Sequence, residues 1–297
     1  MKHIAIAGSG VLGSQIAFQT ALHGYQVTVY DIAQDILAKA SRSFQRLAEV
    51  YQRDMKTPPE QTAAAISRIT LTTDLATLVA DADLLIEAIP EVVAIKNDFY
   101  ARVAPLAPAK TVFATNTSTL LPSQFAAVSG RPGKFLALHF ANEIWTRNTA
   151  EVMGHAGTDA QAFQAVLAFA KSIGMVALPL YKEQPGYITN SLLIPWVTAA
   201  LRLWGDDVAD FQTIDKTWMI GVKTPFVPFA FVDMVGLNTA CNISGAMAEA
   251  MNDPALRRAA QRMKEDYLDK GKLGAASGEG FYKYPNPAFA DPSFLSN

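Results

Sequence analysis

A chain of 297 residues, half of them apolar, is longer than most single domains and has enough hydrophobic material for two cores. Its 25 basic and 27 acidic residues give a formal net charge of −2 with no basic block, which excludes a partner held through a nucleic-acid backbone. The single cysteine, Cys241, excludes an intrachain disulfide and a cysteine-rich zinc site, so no metal is expected and a reducing, cytoplasmic location is the default.

The first expected strand is Ile4–Ala7. Its apolar run stops at Gly8-Ser9-Gly10, too early for the core of a signal peptide. Gly8-Ser9-Gly10-Val11-Leu12-Gly13 then opens an amphipathic stretch expected to be helical over 11–23. Gly-x-Gly-x-x-Gly between a strand and a helix is the context in which the pattern points to a dinucleotide. Gly8 permits the tight turn, Gly10 lets backbone approach a pyrophosphate, and Gly13 lets helix and strand pack closely. The helix start at Val11 and Leu12 attracts the anion. A plain glycine-rich turn is the alternative. The second strand, Val27–Tyr30, ends at Asp31, where a carboxylate would hydrogen-bond a ribose 2′-hydroxyl and repel a phosphate, and no Arg or Lys follows until Lys39. That favours NAD over NADP; the other reading of Asp31 is a cap on the next helix.

Helices are expected at 34–52, 60–67, 91–104 and 159–173, and strands at Leu84–Ile86, Val112–Thr115, Phe135–Leu138, Ala150–Met153 and Val176–Leu178. Alternating apolar runs and amphipathic stretches predict an α/β, Rossmann-type, doubly wound and mostly parallel sheet. The strand signal stops near Pro185-Gly186, which divides the chain into a 1–184 dinucleotide-binding domain and a smaller, all-helical 185–297 domain. There the spacing predicts helices over 187–203, 210–220, 228–250 and 254–270. The most apolar stretch, Tyr187 to Trp204, contains Asn190, Pro195 and Arg202, which suits a buried helix and not a membrane span.

Parallel sheets bind ligands beyond the carboxyl ends of their strands. Val112–Thr115 leads into Asn116-Thr117-Ser118, Phe135–Leu138 leads into His139, and Glu151 lies in the Ala150–Met153 run. A histidine, a carboxylate and a small hydroxyl are the parts hydride transfer needs, since an alcohol must lose its proton to a base as hydride leaves carbon. The carboxylate would hold one imidazole tautomer. The alternatives are a core histidine at His139, a turn or cap at Asn116 and Ser118, and a surface ion pair at Glu151. His3, His23, His155 and Cys241 are read as structural.

The ordered motifs Gly8 to Gly13, Glu87-Ala-Ile-Pro-Glu91 with Lys96, Asn116-Thr-Ser118, His139-Phe-Ala-Asn142, Pro185-Gly-Tyr-Ile-Thr-Asn190, Pro225 to Gly236 and Gly278-Glu-Gly-Phe-Tyr282 run nearly end to end. They resemble the L-3-hydroxyacyl-CoA dehydrogenase family, which includes 3-hydroxybutyryl-CoA dehydrogenases of fatty acid metabolism. The resemblance implies an NAD-dependent enzyme with His139 as base, Glu151 as its orienting glutamate, and Ser118 and Asn190 on the reacting oxygen. It places Glu91 and Lys96 near the nicotinamide side of the cofactor and Asn142 near the substrate, and it implies a homodimer through the helical domain. The family's Phe-Asn-Pro and apolar continuation is replaced by Ala141-Asn-Glu-Ile-Trp-Thr-Arg-Asn-Thr149, Ser191 stands where an arginine commonly follows the asparagine, and Val222-Lys-Thr-Pro-Phe-Val-Pro228 replaces a Gly/Met-rich stretch. The substrate is therefore left open between a 3-hydroxyacyl-CoA and a free short hydroxy acid or sugar acid of gulonate type. Arg147 is either the partner of a substrate carboxylate or a surface cation. A crystallin-like protein that binds NAD without turnover is the third alternative.

Overall fold

The computed structural model describes residues 1–296. It divides into two compact units, Met1–Ile188 and Thr189–Asn297. The expected second domain ends at Asn297, which lies outside the described residues.

The first unit is built, in chain order, from β1 (His3–Ala7), α1 (Val11–Leu22), β2 (Gln26–Tyr30), α2 (Gln34–Asp54), α3 (Pro59–Ser67), β3 (Ile69–Thr72), α4 (Leu75–Val79), β4 (Leu84–Glu87), α5 (Val93–Val103), β5 (Val112–Thr115), α6 (Ser123–Ala126), β6 (Phe135–Phe140), β7 (Thr149–Met153), α7 (Ala160–Ser172) and β8 (Val176–Leu180). The eight strands form one sheet in the order β3-β2-β1-β4-β5-β6-β7-β8. It is parallel from β3 through β6; β7 runs antiparallel to β6, and β8 is parallel to β7. The strand order reverses between β1 and β4, and a sheet of this kind opens its ligand crevice at such a switch point.

Helices cover both faces, so the central strands are buried on both sides. Ile4 and Ile6 of β1 join Phe18, Phe44, Tyr51 and Phe169 in one core, while Ala5 and Ala7 join Phe99, Tyr100, Phe113 and Phe125 in the other. The α2 helix shows the sequence logic plainly: Leu37, Ala40, Phe44, Leu47, Ala48 and Tyr51 recur every three or four residues and are its buried face. The edge strand β3 and the short helices α4 and α6 lie outside the sequence expectations. All three are four or five residues long, too short for periodicity to register.

The second unit begins at the third residue of α8 (Tyr187–Gly205) and contains α9 (Phe211–Val222), α10 (Pro228–Val235), α11 (Leu237–Met251) and α12 (Pro254–Asp266). Its core gathers Trp204, Phe229, Leu256, Met263 and Phe281. Asp210 and Asp253 cap α9 and α12 by accepting from Thr213 N and Leu256 N. The single helix expected over 228–250 is two helices. Gly236 takes φ +92°, which a helix cannot contain, and Leu237 N turns away to the carbonyl of Leu273. Among the described residues no helix is long and apolar enough to cross a membrane.

Candidate active site

The glycine turn sits where β1 and β4 diverge. Gly8 N donates to the Tyr30 carbonyl at 2.8 Å, and Gly8 has φ +96° with Ala88 O only 2.4 Å from where a Cβ would stand. A Cβ at Gly13 would meet the Gly8 carbonyl at 2.0 Å, so Gly13 is required by the packing of α1 on the turn. Gly10 differs: a Cβ there meets nothing within 4 Å, and Gly10 caps α1 with no side-chain hydrogen bond to the helix start. The turn therefore leaves the N-terminus of α1, at Val11 and Leu12, open beside bare backbone, the cradle that a pyrophosphate fits.

Asp31 completes this cradle. Its Oδ2 accepts from Ser9 N at 2.8 Å and Ser9 Oγ at 2.7 Å, and its Oδ1 accepts from Ile32 N. It does not cap α2, which starts at Gln34 behind Ala33 without a side-chain cap. The carboxylate is thus anchored to the glycine turn at the end of β2, where a ribose diol would meet it.

The second cluster lies at the ends of β5, β6 and β7. The antiparallel register sets His139 directly opposite Glu151. His139 Nδ1 lies 3.0 Å from Glu151 Oε2, and Nε2 lies 3.2 Å from Ser118 Oγ. A carboxylate oxygen only accepts, so the proton of the neutral ring belongs on Nδ1, which leaves the Nε2 lone pair facing Ser118. The other oxygen of Glu151 accepts from Ile188 N at 2.9 Å, so the carboxylate cannot rotate away. Tyr187 stacks on the imidazole with ring centroids 4.5 Å apart and planes 17° apart. Burial pushes the Tyr187 phenol well above its usual range, and the nearby charges of Glu91, Glu151 and Glu87 push it further, so it is neutral. Asn116 is buried at the end of β5 and accepts from Phe140 N at 3.0 Å, tying β5 to β6 beside the histidine.

Glu91 receives the turn that carries Ser118. Its Oε1 accepts from the Thr117 hydroxyl, from Ser118 N at 3.0 Å, and from Thr119 N and Oγ1 at 3.1 and 3.0 Å. Burial acts to raise the Glu91 carboxyl, but the Thr117 hydroxyl, the Lys96 charge and the Thr119 N–H outweigh it and hold the group below the usual carboxylate range. Lys96 is buried between Glu87 at 2.6 Å and Glu91 at 3.2 Å.

His139, Glu151, Ser118, Asn116, Glu91 and Lys96 thus come together in the first unit. Asn142 is exposed on the β6–β7 connection, and Arg147 is exposed on the same segment and pairs with Glu143 at 3.4 Å. Asn190 lies in α8, in the second unit. Glu87, Thr117 and Tyr187 border this cluster, through Thr115, Glu91 and His139 respectively, and sequence reasoning assigned them no role. All three stood inside motifs named above, Glu87 at the head of Glu87-Ala-Ile-Pro-Glu91, Thr117 in the middle of Asn116-Thr-Ser118 and Tyr187 in the run that ends at Asn190.

The model of the NAD-binding domain of 3-hydroxyacyl-CoA dehydrogenases matches residues 3–184, and that of the C-terminal domain matches residues 186–284. The chain is 32% identical to the mitochondrial hydroxyacyl-coenzyme A dehydrogenase of Homo sapiens, over 96% of this chain and 91% of that one. Among solved structures, one described by its substrate-directed dual catalysis of dicarbonyl compounds by diketoreductase is 51% identical, with a TM-score of 0.91 over 96% of this chain and 99% of that one. The (S)-3-hydroxybutyryl-CoA dehydrogenase of Ralstonia eutropha is 27% identical, with a TM-score of 0.83 over 96% of this chain and 100% of that one. With both domain models matched in order behind a glycine cradle suited to NAD, the chain belongs to the 3-hydroxyacyl-CoA dehydrogenase family of NAD-dependent oxidoreductases.

Proposed function

We propose that this chain interconverts a 3-hydroxyacyl-CoA and the corresponding 3-ketoacyl-CoA, with His139 as the base. The observation that carries the reading is the imidazole held between Glu151 at Nδ1 and Ser118 at Nε2. NAD, when bound, supplies the two-electron acceptor. In the oxidation, Nε2 accepts the hydroxyl proton as the C–H bond at the same carbon breaks, and Glu151 stabilises the imidazolium that forms. The hydroxyl of Ser118 marks where the substrate oxygen docks, and Asn190 is assigned as a second donor to that oxygen on the resemblance alone. Asn142 is assigned to the substrate side on the same ground. In the reverse direction His139 returns the proton to the ketone oxygen.

A second reading has its own support. The relative at 51% identity acts on dicarbonyl compounds, and the β6–β7 connection here carries Glu143, Arg147 and Asn148 in place of an apolar lining. On that reading the substrate is a free dicarbonyl or a short hydroxy acid, and Arg147 faces its polar end. A panel of acetoacetyl-CoA, free acetoacetate, 2,4-pentanedione and gulonate, each with NAD(H) and NADP(H), separates the two. A kcat/KM at least about tenfold higher for acetoacetyl-CoA supports the thioester, and the reverse order overturns it. No turnover with any member points to the crystallin-like alternative. His139→Gln is expected to lower kcat by about 10²- to 10⁴-fold with NADH affinity little changed, and undiminished turnover removes His139 from the role of base.

We also propose a homodimer through the 185–297 domain, where Leu192, Ile194, Met234, Val235 and Ile243 are exposed apolar side chains. A monomer in sedimentation at micromolar concentration would contradict it. A reducing, cytoplasmic compartment suits a chain with one cysteine.

A further inference from the structure

Gln15 is buried on α1, two residues after Gly13, and its amide oxygen meets the β6–β7 connection. Oε1 accepts from Glu143 N at 2.8 Å and from Ile144 N at 3.4 Å. The chain turns sharply here. Glu143 takes φ +61°, a left-handed conformation uncommon outside glycine, and its carbonyl accepts from Thr146 N at 2.8 Å, Arg147 N at 2.9 Å and Thr146 Oγ1 at 3.0 Å. Before the turn, Phe140 N is held by Asn116 Oδ1 at 3.0 Å. After it, Ile144 is fully buried in the core that also holds Phe18 and Phe44, and Trp145 lies on Tyr51 with ring centroids 5.6 Å apart and donates to Asp54 Oδ2 at 3.3 Å. Ala141 and Asn142 therefore bridge two anchors, one at the end of β5 and one on the dinucleotide helix. Asn142 is exposed between them, three residues past His139.

We propose that Gln15 is a positioning residue for substrate specificity. It holds the β6–β7 connection in the left-handed turn at Glu143 and thereby sets where Asn142 and Arg147 stand beside the base. Its amide oxygen is committed to two backbone N–H groups, and without it the N–H of the fully buried Ile144 would lose its acceptor. Arg147 belongs to the same turn through its N–H on the Glu143 carbonyl and its guanidinium 3.4 Å from the Glu143 carboxylate. The arrangement comes from this chain's own sequence. Glu143 stands where the family's Phe-Asn-Pro has its proline, and a proline has no N–H to give Gln15 and is fixed at a φ of about −65°. The polar run from Glu143 to Thr149 thus follows a path closed to a chain with proline at that position. The bonds of His139 to Glu151 and Ser118 do not pass through the connection, so the turn acts on substrate fit and leaves proton transfer in place.

The inference rests on the substrate-side placement of Asn142 proposed above. It is tested with Gln15→Met, which keeps the length of the side chain and removes the acceptor, and with Gln15→Asn, which leaves the amide one carbon short of the turn. Glu143→Pro, made singly and together with Gln15→Met, breaks the same contact from the other side. Steady-state kinetics are measured with the panel substrate that turns over fastest, NADH affinity by fluorescence titration, and folding by thermal melting. Each single variant is expected to raise the substrate KM by about tenfold, with kcat within about threefold of wild type and NADH affinity nearly unchanged, the pattern of lost binding with intact chemistry. The double variant is expected to do no worse than the more damaging single one, because both changes remove one contact. Wild-type KM in both Gln15 variants, with only the melting temperature lowered, would leave Gln15 a purely structural role and overturn the proposal. So would weakened NADH binding at unchanged KM, which would make Gln15 a cofactor contact, or effects of Gln15→Met and Glu143→Pro that multiply. If Gln15→Met does not fold, Gln15→Asn with Glu143→Pro carries the same comparison. Asn142→Ala separates the two readings: an unchanged KM there removes the substrate-side placement, whereas a raised KM there beside wild-type KM in both Gln15 variants sinks the positioning role alone. A protein that turns over no member of the panel overturns the inference together with the function on which it rests.

Discussion

His139 and Glu151 face each other across the antiparallel pair β6–β7, each on the strand that the other's backbone bonds. Cross-strand neighbours have Cβ atoms about 5 Å apart, so the imidazole and the carboxylate meet without either leaving its strand. The pair is rigid because the register is rigid. Leu138 and Phe140 on one strand and Ala150 and Val152 on the other point into the opposite core, and a slip by one residue would turn His139 into that core.

Glu151→Gln keeps the size of this partner and removes its charge. The amide satisfies Nδ1 with either its oxygen or its nitrogen, so the tautomer is no longer imposed and the imidazolium is no longer stabilised. The expected result is a fall in kcat of about 10²- to 10⁴-fold with little change in NADH binding, read by initial rates beside fluorescence titration. A kcat within twofold of wild type, taking twofold as roughly the scatter of such assays, would show that Glu151 does not orient the base.

The glycine turn separates a folding role from a binding role. Gly13→Ala drives a methyl into the Gly8 carbonyl and is expected to lower the melting temperature, at a cost on the order of 1–3 kcal/mol. Gly10→Ala adds a methyl that meets no protein atom, at φ −63°, so folding should be unaffected within about 0.5 kcal/mol. NADH affinity should nevertheless fall by about tenfold or more, because the methyl takes the space the pyrophosphate needs. Unimpaired NADH binding by Gly10→Ala would place the cofactor elsewhere.

Asp31 is expected to decide between the two dinucleotides. Asp31→Ser removes the charge that a 2′-phosphate would meet, and the ratio of kcat/KM for NADPH over NADH should rise by about tenfold or more. Because Ser9 N and Oγ lose their acceptor in this variant, NADH should also bind less tightly. An unchanged cofactor ratio would return Asp31 to a purely structural role.

The helical unit carries a pH dependence of its own. Burial pushes the Asp215 carboxyl up to about 7, against the opposing hydrogen bonds from Tyr282 and Phe229 N, and with a further push from Asp233. Burial likewise pushes Asp233 up to about 6, against hydrogen bonds from Tyr282 N, Phe281 N and Tyr284. The folded state therefore holds protons that the unfolded chain, with carboxyls near 3.8, has already released. Their stabilising contribution is complete below about pH 4 and is lost as pH rises through about 6 to 7. Asp215→Asn, which carries its hydrogens at every pH, should flatten this part of the profile, so that its melting temperature relative to wild type improves from pH 5 to pH 8. A pH-independent difference between the two proteins would refute the raised carboxyl.

Much of the first unit was legible in the sequence because its signals are local. A glycine turn between a strand and a helix, an acidic residue ending the next strand, and polar residues following apolar runs are all read within a few positions. The elements that escaped were those whose length or continuity depends on distant partners. Gly236 sits inside an unbroken apolar period, and only its neighbours at Leu273 show that the helix stops there. Lys96 reads as an ordinary cation on an amphipathic helix until α5 is laid against β4 and β5 and its ammonium closes on Glu87.

Local chain chemistry thus determined the alternation of strands and helices and the dinucleotide turn, because propensity, turn geometry and strand-end position are properties of neighbouring residues, whereas it left His139 open between a base and a core histidine until the family resemblance favoured the base. Only the tertiary structure decided which groups surround that base. The register of β6 against β7 brought Glu151 to Nδ1, the stacking of Tyr187 fixed the ring plane, and the burial of Lys96 between two carboxylates joined β4, α5 and the Ser118 turn. Each of these contacts joins residues from different elements of the fold, and the energy of such a contact exists only once packing has excluded water between them.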